Sequence, residues 1–277
     1  MGNFFSKPDQ ITKNSRGISR DLWKNCPREE IMFDNNVGYY FKDDFVGIPI
    51  LLDAAAAGMG GYITDQDTGV TIAGLETTDA VGGVIEIANN DADNDFGHLY
   101  LASAVSDVNL MSIASGEFMP FWFEARIKVK LATDNSVGIF VGLGETGLIT
   151  TDGGALVDDT AEVKDENFIG FQILNADGDS LVPCFKADGQ TKVTGTASAV
   201  VADTWFKCGL YGNGSTVDAY VDGVKTATLA SASVVEGTTF PSATNLTLMM
   251  LTKTGAAVEC AVEMDWWEVF VEDRAPV

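Results

Sequence analysis

From residue 41 onward, apolar and polar side chains alternate along the chain with a period of two rather than the period of about 3.6 expected for a helix. The clearest example is residues 121–131, where every second side chain is apolar and those between are mostly charged. Successive side chains of a strand point to opposite faces of its sheet, so one face of this strand is predicted to lie on a core. The other face carries Trp122, Glu124, Arg126, Lys128 and Lys130. We predict that this second face is solvated.

Turn signals separate further alternating segments. Residues 204–229 contain three strands joined by Asn-Gly and Asp-Gly dipeptides, which are typical of hairpin turns and predict a meander. Two more hairpins are predicted, one over residues 168–187 and a final one over residues 245–272. The sequence therefore predicts an all-β protein in which two antiparallel sheets pack around one core over residues 41–273.

Residues 1–40 lack this alternation and are predicted to form an extended N-terminal arm ahead of a β-sandwich over residues 41–277. The arm contains at most one short helix, over residues 19–25, with Ser19 as its N-cap. Residues 1–42 carry seven basic and five acidic side chains, a balance of +2, so the rest of the chain carries −25 of the total net charge of −23. Such an arm either packs on its own body or docks on an acidic partner, and the sequence leaves both alternatives open.

The strong negative charge excludes broad electrostatic binding to nucleic acid. The four cysteines form no Cys-x-x-Cys pair and none has a histidine neighbour in the sequence. We therefore interpret them as buried thiols rather than zinc ligands. His98, the only histidine, is expected to pack or to hydrogen-bond within a strand. The most apolar stretch, residues 46–63, falls short of the roughly 20 apolar residues that span a bilayer, so no membrane partner is expected.

Three segments carry a resemblance to a known family. They are FWFEARIKV at residues 121–129, WFKCGLYGNGSTVDAYVDG at residues 205–223 and EMDWWEVFV at residues 263–271. In their order and pattern they resemble the concanavalin A-like jelly roll of lectins and glucanases, including laminin-G-type modules. The resemblance implies a jelly roll whose last strand closes the sandwich beside the N-terminal strand. It implies no single activity, because this architecture hosts lectins, hydrolases and structural modules.

Glu263, Asp265 and Glu268 have the Glu-x-Asp-x-x-Glu spacing of laminarinase-type glycoside hydrolases, which share that fold. In those enzymes a bulged strand directs a nucleophile, an assisting aspartate and a general acid into a groove. Only nine residues follow Glu268, so the segment matches the closing strand rather than an interior catalytic strand. The apolar phase breaks between Trp266 and Trp267, which a simple bulge explains. We therefore expect no enzyme activity, with packed tryptophans and solvated carboxylates.

Asp91, Asp93 and Asp95 alternate along a short acidic segment, and Ca²⁺ prefers clusters of oxygen ligands. The EF-hand template is not matched, because Phe96 stands where its glycine belongs. Calcium-dependent lectins of the resembling fold place acidic loops at one rim. A Ca²⁺ site is therefore one hypothesis and an acidic, solvated turn is the alternative, and no other cofactor is predicted.

Trp122 and Trp267 are candidates for an exposed carbohydrate platform, because pyranose faces and aromatic rings both present apolar surface with polar edges. Tryptophan is also enriched at protein interfaces. The sequence leaves these two alternatives open.

Taken together, the arm, the acidic body and the jelly roll resemble accessory virion proteins of tailed bacteriophages, in which β-sandwich domains decorate a capsid. This predicts a non-enzymatic capsid decoration protein on the virion exterior, assembled in the host cytoplasm and bound to the major capsid protein or another shell protein. The predicted anchor consists of Arg16, Arg20, Leu22, Trp23 and Arg28, with two apolar pegs and arginines that contact carboxylates. The alternative is a lectin-like module that binds surface glycans, and the oligomeric state, including a homo-oligomer, stays open.

Overall fold

The computed structural model describes residues 17–34, 36–46, 51–53, 61–75, 83–102, 111–112, 120–130, 137–145, 148, 156, 163–178, 180–213, 216–229, 240–241, 245–255 and 259–272. Arg16, the first residue of the predicted anchor, lies outside this part of the chain. Helical structure in the described residues consists of α1 (Arg20–Trp23) and two single 3₁₀ turns, Glu30–Met32 and Asn175–Asp177.

The described strands follow one another with no long helix between them. In chain order they are β1 (Gly38–Asp43), β2 (Leu51–Asp53), β3 (Gly61–Gln66), β4 (Thr71–Leu75), β5 (Val84–Asn89), β6 (Phe96–Ala102), β7 (Met111–Ser112), β8 (Phe121–Val129), β9 (Val137–Gly144), β10 (Phe168–Leu174), β11 (Ser180–Lys186), β12 (Val193–Thr194), β13 (Trp205–Gly212), β14 (Val217–Val221), β15 (Val224–Leu229), β16 (Asn245–Thr254) and β17 (Cys260–Glu272).

These strands form two sheets. Sheet A has the order β15-β14-β13-β8-β17-β5-β4, and β1 pairs with the C-terminal half of β17. Sheet B has the order β12-β11-β10-β9-β16-β6-β3-β2, and β7 pairs with β16. All described pairings are antiparallel except that of β2 with β3. The predicted two-sheet antiparallel sandwich is therefore confirmed, and the last described strand does lie beside β1.

The core lies between the two sheets and is built from alternate residues of each strand. Phe123 and Ile127 of β8 are fully buried there, together with Val141, Ile169 and Met250 from sheet B. The glycine-rich face of β9 is closely approached by the backbone of β10. A Cβ atom at Gly142 would lie 2.4 Å from the carbonyl oxygen of Ile169. The apolar phase of β8 predicted from the sequence is confirmed.

The predicted meander is confirmed as β13, β14 and β15. Asp222 and Gly223 connect the last two strands with φ angles of 49° and 76°, the left-handed values that a two-residue hairpin turn requires. The hairpin predicted over residues 168–187 is confirmed as β10 and β11.

The predicted final hairpin is wrong, because β16 and β17 belong to different sheets. β16 lies between β9 and β6 in sheet B, whereas β17 lies between β8 and β5 in sheet A. Leu248 of β16 and Val262 of β17 both point into the core from opposite sides. Alternation reports only that one face of a strand is buried, so it does not distinguish two strands of one hairpin from two strands that face each other across a core.

Part of each outer face of the sandwich is covered. Residues 17–34 lie over the outer face of sheet A, where Leu22, Trp23, Val37, Trp122 and Phe270 form a buried cluster. A second buried cluster lies on the outer face of sheet B, and it consists of Phe140, Leu148, Leu156, Val163, Phe168, Leu174, Cys184, Met249 and Leu251. The prediction that the polar face of β8 is solvated is therefore wrong for Trp122, Glu124 and Arg126, which are all buried.

The prediction of buried thiols is confirmed for Cys184, Cys208 and Cys260, which are buried and free, and is wrong for Cys26, which is free but only half-buried. Burial raises the pKa of the Cys26 thiol to about 12, so this group stays protonated and unreactive at neutral pH. His98 is also buried, as expected for a packed strand residue, and its Nδ1 lies 3.8 Å from a carboxylate oxygen of Asp65.

Candidate functional site

The carboxylates of the Glu-x-Asp-x-x-Glu motif lie on β17, on its outward face. The pairing of β17 with β8 shifts register between Met264 and Trp266, which places a bulge at Asp265. Met264 and Trp267 face the core. The bulge returns Glu268 to the same outward face as Glu263. The predicted bulge and the predicted packing of Trp267 are confirmed.

Each of the first two carboxylates is buried and paired with cations of β8 and of the segment after it. Glu263 lies 2.8 Å from Nζ of Lys128 and 3.2 Å from Nζ of Lys130. Asp265 lies 2.5 Å from a guanidinium nitrogen of Arg126. The prediction that these carboxylates are solvated is therefore wrong, because the polar residues of β8 neutralise them one strand away.

Glu268, the third carboxylate, is held from the N-terminal side of the chain. Its Oε1 accepts hydrogen bonds from Nη1 of Arg28 at 2.9 Å and from the hydroxyl of Tyr40 at 3.0 Å. Nζ of Lys42 lies 3.7 Å from its Oε2. Burial and the Glu268 charge raise the pKa of Tyr40, so its hydroxyl remains a donor.

Glu124 on β8 attaches the start of the N-terminal segment to sheet A. One of its oxygens, Oε2, accepts hydrogen bonds from the backbone N–H of Ser19 at 2.9 Å and from Nε1 of Trp23 at 2.8 Å. Lys207, on the neighbouring strand β13, donates to the carbonyl oxygen of Gly17 at 3.0 Å. Burial raises the pKa of Glu124, and the Ser19 and Trp23 donors and the Lys207 charge oppose that rise. These buried bonds fix residues 17–23 on the body.

Trp122 does not form an exposed platform. It is only 2% exposed and stacks on Tyr211 with ring centroids 5.0 Å apart. Leu22 fills the space beside it, where Gly209 has no side chain: a Cβ there would lie 2.4 Å from Leu22 Cδ2. The sugar-platform hypothesis is wrong for Trp122, because the N-terminal segment of the same chain occupies its face.

Trp267, the second platform candidate, is fully buried in the core. Its Nε1 donates to the hydroxyl of Tyr62 at 2.9 Å, and that hydroxyl donates to Asp43 at 2.7 Å. The platform hypothesis is therefore wrong here too. The bulge turns Trp267 inward, and its polar N–H finds a partner there.

The predicted anchor residues behave differently from one another. Leu22 and Trp23 are buried on the body of their own chain, and Arg28 is paired with Glu268. Arg20 is exposed and lies 3.9 Å from the exposed carboxylate of Asp21. The prediction that Leu22 and Trp23 are pegs for a partner is therefore wrong, and the alternative that the arm packs on its own body describes residues 17–34.

Asp91, Asp93 and Asp95 lie in the turn between β5 and β6. The side chains of Asp91 and Asp93 are exposed, and in the described part of the chain no three acidic, histidine or cysteine side chains are placed to hold a metal ion. The carbonyl oxygens of Ala92 and Asp95 both accept from Thr254 Oγ1, so they face β16 rather than a common centre. The residues present do not fit Ca²⁺, which takes about six to eight oxygen ligands.

A pocket of about 380 Å³ lies on the outer face of sheet A, beside Glu263 and the lysines that pair with it. Its lining residues are Gly69, Thr71, Glu86, Ala88, Asn89, Asn90, Lys130, Glu259, Cys260 and Ala261. We call it the sheet A trough. Lys130 lies between the trough and the carboxylates, because it contacts both Glu86 and Glu263.

The trough and the attachment through Glu124 are both missed by sequence reasoning. Glu124 and its two donors are 105 and 101 residues apart in the chain, so no spacing rule links them. The trough depends on three small residues from neighbouring strands, Thr71, Ala88 and Ala261. The sequence contains these residues, but only the strand register shows that they lie side by side.

No protein-family model and no curated protein matches the chain. Among solved structures, a protein of unknown function from Shewanella oneidensis MR-1 is 12% identical with a TM-score of 0.53, over 91% of this chain and 97% of that chain. A glycoside hydrolase family 16 endo-glucanase from Bacteroides ovatus is 12% identical with a TM-score of 0.52, over 83% of this chain and 99% of that chain. A non-specific endo-β-1,3(4)-glucanase of the same family is 13% identical with a TM-score of 0.50, over 83% and 91%.

These similarities show a fold, the concanavalin-like jelly-roll sandwich, as the sequence resemblance implied. Fold similarity at this level of identity does not transfer an activity. Within the described residues, no helix has the length and apolar character needed to cross a membrane.

Proposed function

We propose that this chain is a non-enzymatic β-sandwich module that attaches to a shell protein of a virion, as a capsid decoration protein does, through the turn at Glu30–Met32 and the residue after it. The observation that carries the proposal is the exposure of two adjacent large apolar side chains. Met32 is 80% exposed and Phe33 is 91% exposed. Exposed apolar side chains at a fixed position are typical of protein interaction sites.

The exposed pair stands on an ordered turn. The N–H of Glu30 donates to the carbonyl of Pro27 at 2.8 Å, and the N–H groups of Phe33 and Asp34 donate to the carbonyl of Glu30 at 2.9 Å each. Arg28, on the same segment, is held by the buried Glu268. The apolar pair is therefore presented to a partner without the ordering cost that a mobile arm would carry.

This proposal keeps the N-terminal attachment expected from the sequence but moves the contacting residues. Leu22 and Trp23 fix the segment on its own sandwich, and Met32 and Phe33 take the role of pegs. The partner is a shell protein with an apolar recess, and the location is the exterior of the virion. A homo-oligomer on the shell is compatible with the same contact.

The arrangement of the three carboxylates supports a role without catalysis. The solved structures that resemble the chain include glucanases, whose reaction needs one carboxyl to donate a proton and another to reach the sugar. Here Glu268 is held by Arg28, Tyr40 and Lys42, and Glu263 is held by two lysines. Purified protein is expected to release no reducing ends from mixed-linkage β-glucan. Hydrolysis that disappears in Glu263→Gln would contradict the proposal.

The attachment is tested with virions that carry this chain. Immunogold labelling of purified particles is expected to place it on the capsid exterior. The double variant Met32→Ser, Phe33→Ser is expected to lose at least tenfold in cosedimentation with capsids stripped of the native chain, with an unchanged melting temperature. The matched control is Val201→Ser, Val224→Ser, which removes two exposed apolar side chains elsewhere. Equal cosedimentation of both double variants, or gold absent from particles, would overturn the proposal.

A further inference from the structure

We propose that the sheet A trough is a binding site for a hydroxyl-rich ligand of about the size of one or two sugar rings. The site is separate from the attachment turn and from both tryptophans that the sequence suggested as a platform, and it shares Lys130 with the carboxylate Glu263. The inference rests on the shape of the trough, on the polar groups that line it and on the charge that surrounds it.

The shape follows from the strand register. Thr71 of β4 lies opposite Ala88 of β5, and Ala88 lies opposite Ala261 of β17. These three outward side chains are small, whereas the next row across the same strands contains Glu86 and Glu263. A row of small side chains beside a row of long ones leaves a depression in the sheet surface. Its volume of about 380 Å³ falls within the roughly 300–1,000 Å³ that is usual for small-molecule sites.

The rim offers hydrogen-bond donors and acceptors side by side. Asn90 donates to the carbonyl oxygen of Thr68, hydrogen-bonds the Asp95 carboxylate and accepts from the N–H of Ala92, which leaves a second acceptor position on its amide oxygen. Lys130 contacts Glu86 and Glu263 and has a third ammonium hydrogen. Glu259 is exposed and lines the trough.

This mixture suits alcohol groups better than other ligand chemistry. Each hydroxyl both donates and accepts, so neighbouring hydroxyls of one ring can meet a carboxylate, an amide and an ammonium group together. An anionic ligand is disfavoured by Glu86 and Glu259 and by the net charge of −23. A bound metal ion is disfavoured because the described residues around the trough do not form a three-ligand group. The small side chains of the floor allow close van der Waals contact with a ring.

The trough also adjoins the charged row through Lys130, which connects Glu86 to Glu263. A ligand hydroxyl that bonds to Lys130 or Glu86 would therefore be detected at Glu263 without contacting it. This gives the site a spectroscopic signature: backbone amide shifts at Thr71, Ala88 and Ala261 from direct contact, with smaller shifts at Glu263 and Lys128. Shifts confined to residues 17–34 would indicate a different site.

The test is an NMR titration of the full chain with glucose, galactose, mannose and N-acetylglucosamine, and with β-linked disaccharides of glucose. At least one sugar is expected to give saturable shifts at the trough. Ala88→Leu fills the floor and is expected to weaken that binding at least tenfold, and Glu259→Ala to weaken it about threefold. Ala202→Leu, at an exposed turn outside the trough, is the matched control and is expected to bind normally.

If Ala88→Leu alters the fold, Glu259→Ala still decides the outcome, because Glu259 is exposed. The proposal is overturned if no sugar gives saturable shifts at the trough, or if Ala88→Leu and Glu259→Ala both bind as the native chain does. Parallel titrations with CaCl₂ and with ethanolammonium identify the other ligand classes: trough shifts with one of these and with none of the sugars also overturn it. None of these outcomes depends on Met32 or Phe33, so the shell-attachment proposal stands or falls separately.

Discussion

The covered parts of the two outer faces of the sandwich differ in their chemistry, because that of sheet A contains a charge network beside its apolar cluster and that of sheet B is apolar. On sheet A, Glu124 and Glu268 bind residues of the N-terminal segment, and Arg126 pairs with Asp265 of the neighbouring strand. On sheet B, Phe140 and Phe168 lie under Leu148 and apolar neighbours from the connection between β9 and β10. The comparison shows that a covered sheet face can be completed either by a charge network or by apolar packing.

The two solutions respond differently to change. Apolar packing loses free energy roughly in proportion to the atoms removed and the cavity left behind. A buried charge network depends on every partner being present, because one missing partner leaves an uncompensated charge or an unsatisfied donor. Single substitutions on the two faces therefore distinguish apolar packing from a charge network by the loss in the free energy of unfolding.

The largest effect is expected on sheet B. Phe168 packs edge to face against Phe140, with centroids 5.4 Å apart, and both are fully buried. Phe168→Ala is expected to lower the free energy of unfolding by about 3–5 kcal/mol in urea titrations. Phe33→Ala, at an exposed phenylalanine, is the control and is expected to change it by less than about 0.5 kcal/mol. A loss below about 1 kcal/mol for Phe168→Ala would show that this face is not packed.

The next largest effect is expected at Glu124. Glu124→Ala leaves the Ser19 N–H and the Trp23 indole N–H without their acceptor and removes one negative charge that interacts with the buried Lys207. We expect a loss of about 3 kcal/mol in the free energy of unfolding, with a red shift of tryptophan emission as Trp23 becomes exposed. Glu124→Gln keeps an acceptor oxygen and is expected to lose less. If both variants match the native chain, the charge network does not hold the segment.

A smaller effect is expected at Arg28. Arg28→Gln removes one charged partner of Glu268 but leaves Tyr40 and Lys42 in place. The expected loss is about 1–2 kcal/mol, measured by urea denaturation. Arg20→Gln removes an exposed cation whose contact with Asp21 is also exposed, and it is expected to cost less than about 0.5 kcal/mol. Equal losses for the two variants would contradict a specific role for the Arg28 pair.

The smallest effect is expected beside the end of β9 and the start of β10 in sheet B, where Glu145 and Glu166 meet. A hydrogen bond with Glu145, together with desolvation and the Glu145 charge, raises the pKa of Glu166 from 4.5 to about 7. The folded chain therefore binds this proton more tightly than the unfolded chain does, so stability falls as pH rises from about 4.5 to about 7. Glu166→Gln is expected to raise the melting temperature at pH 8 by up to about 3 °C and to leave it unchanged at pH 4.

The matched control for the pH experiment is Glu29→Gln, at an exposed glutamate. Its melting temperature is expected to follow that of the native chain at both pH values. A Glu166→Gln variant that gains no stability at pH 8 would show that the two carboxyls do not share a proton.

The fold was largely predictable from the sequence, and the candidate sites were not. Period-two alternation in residues 121–129 and the Asp222–Gly223 turn are local signals, and both lead to the correct strands. Burial of Glu124 depends on residues about 100 positions away in the chain. A charged residue that alternates with apolar ones gives the same sequence pattern whether its side chain contacts solvent or a covering segment. The same ambiguity applies to Trp122. The sequence placed it correctly on the outward face of β8 but did not predict that residues 17–34 bury it.

The position of β17 in sheet A has a consequence for folding during synthesis. β8 and β5 belong to one sheet but do not pair with each other, and β17 connects them while also pairing with β1. Until residues 260–272 have been synthesised, the β13–β15 meander with β8 and the β4–β5 pair have no strand that joins them within sheet A. Pairing between strands far apart in the chain is slow, and incompletely folded chains aggregate. We therefore expect newly synthesised chains to be most prone to aggregation before β17 pairs with β8 and β5.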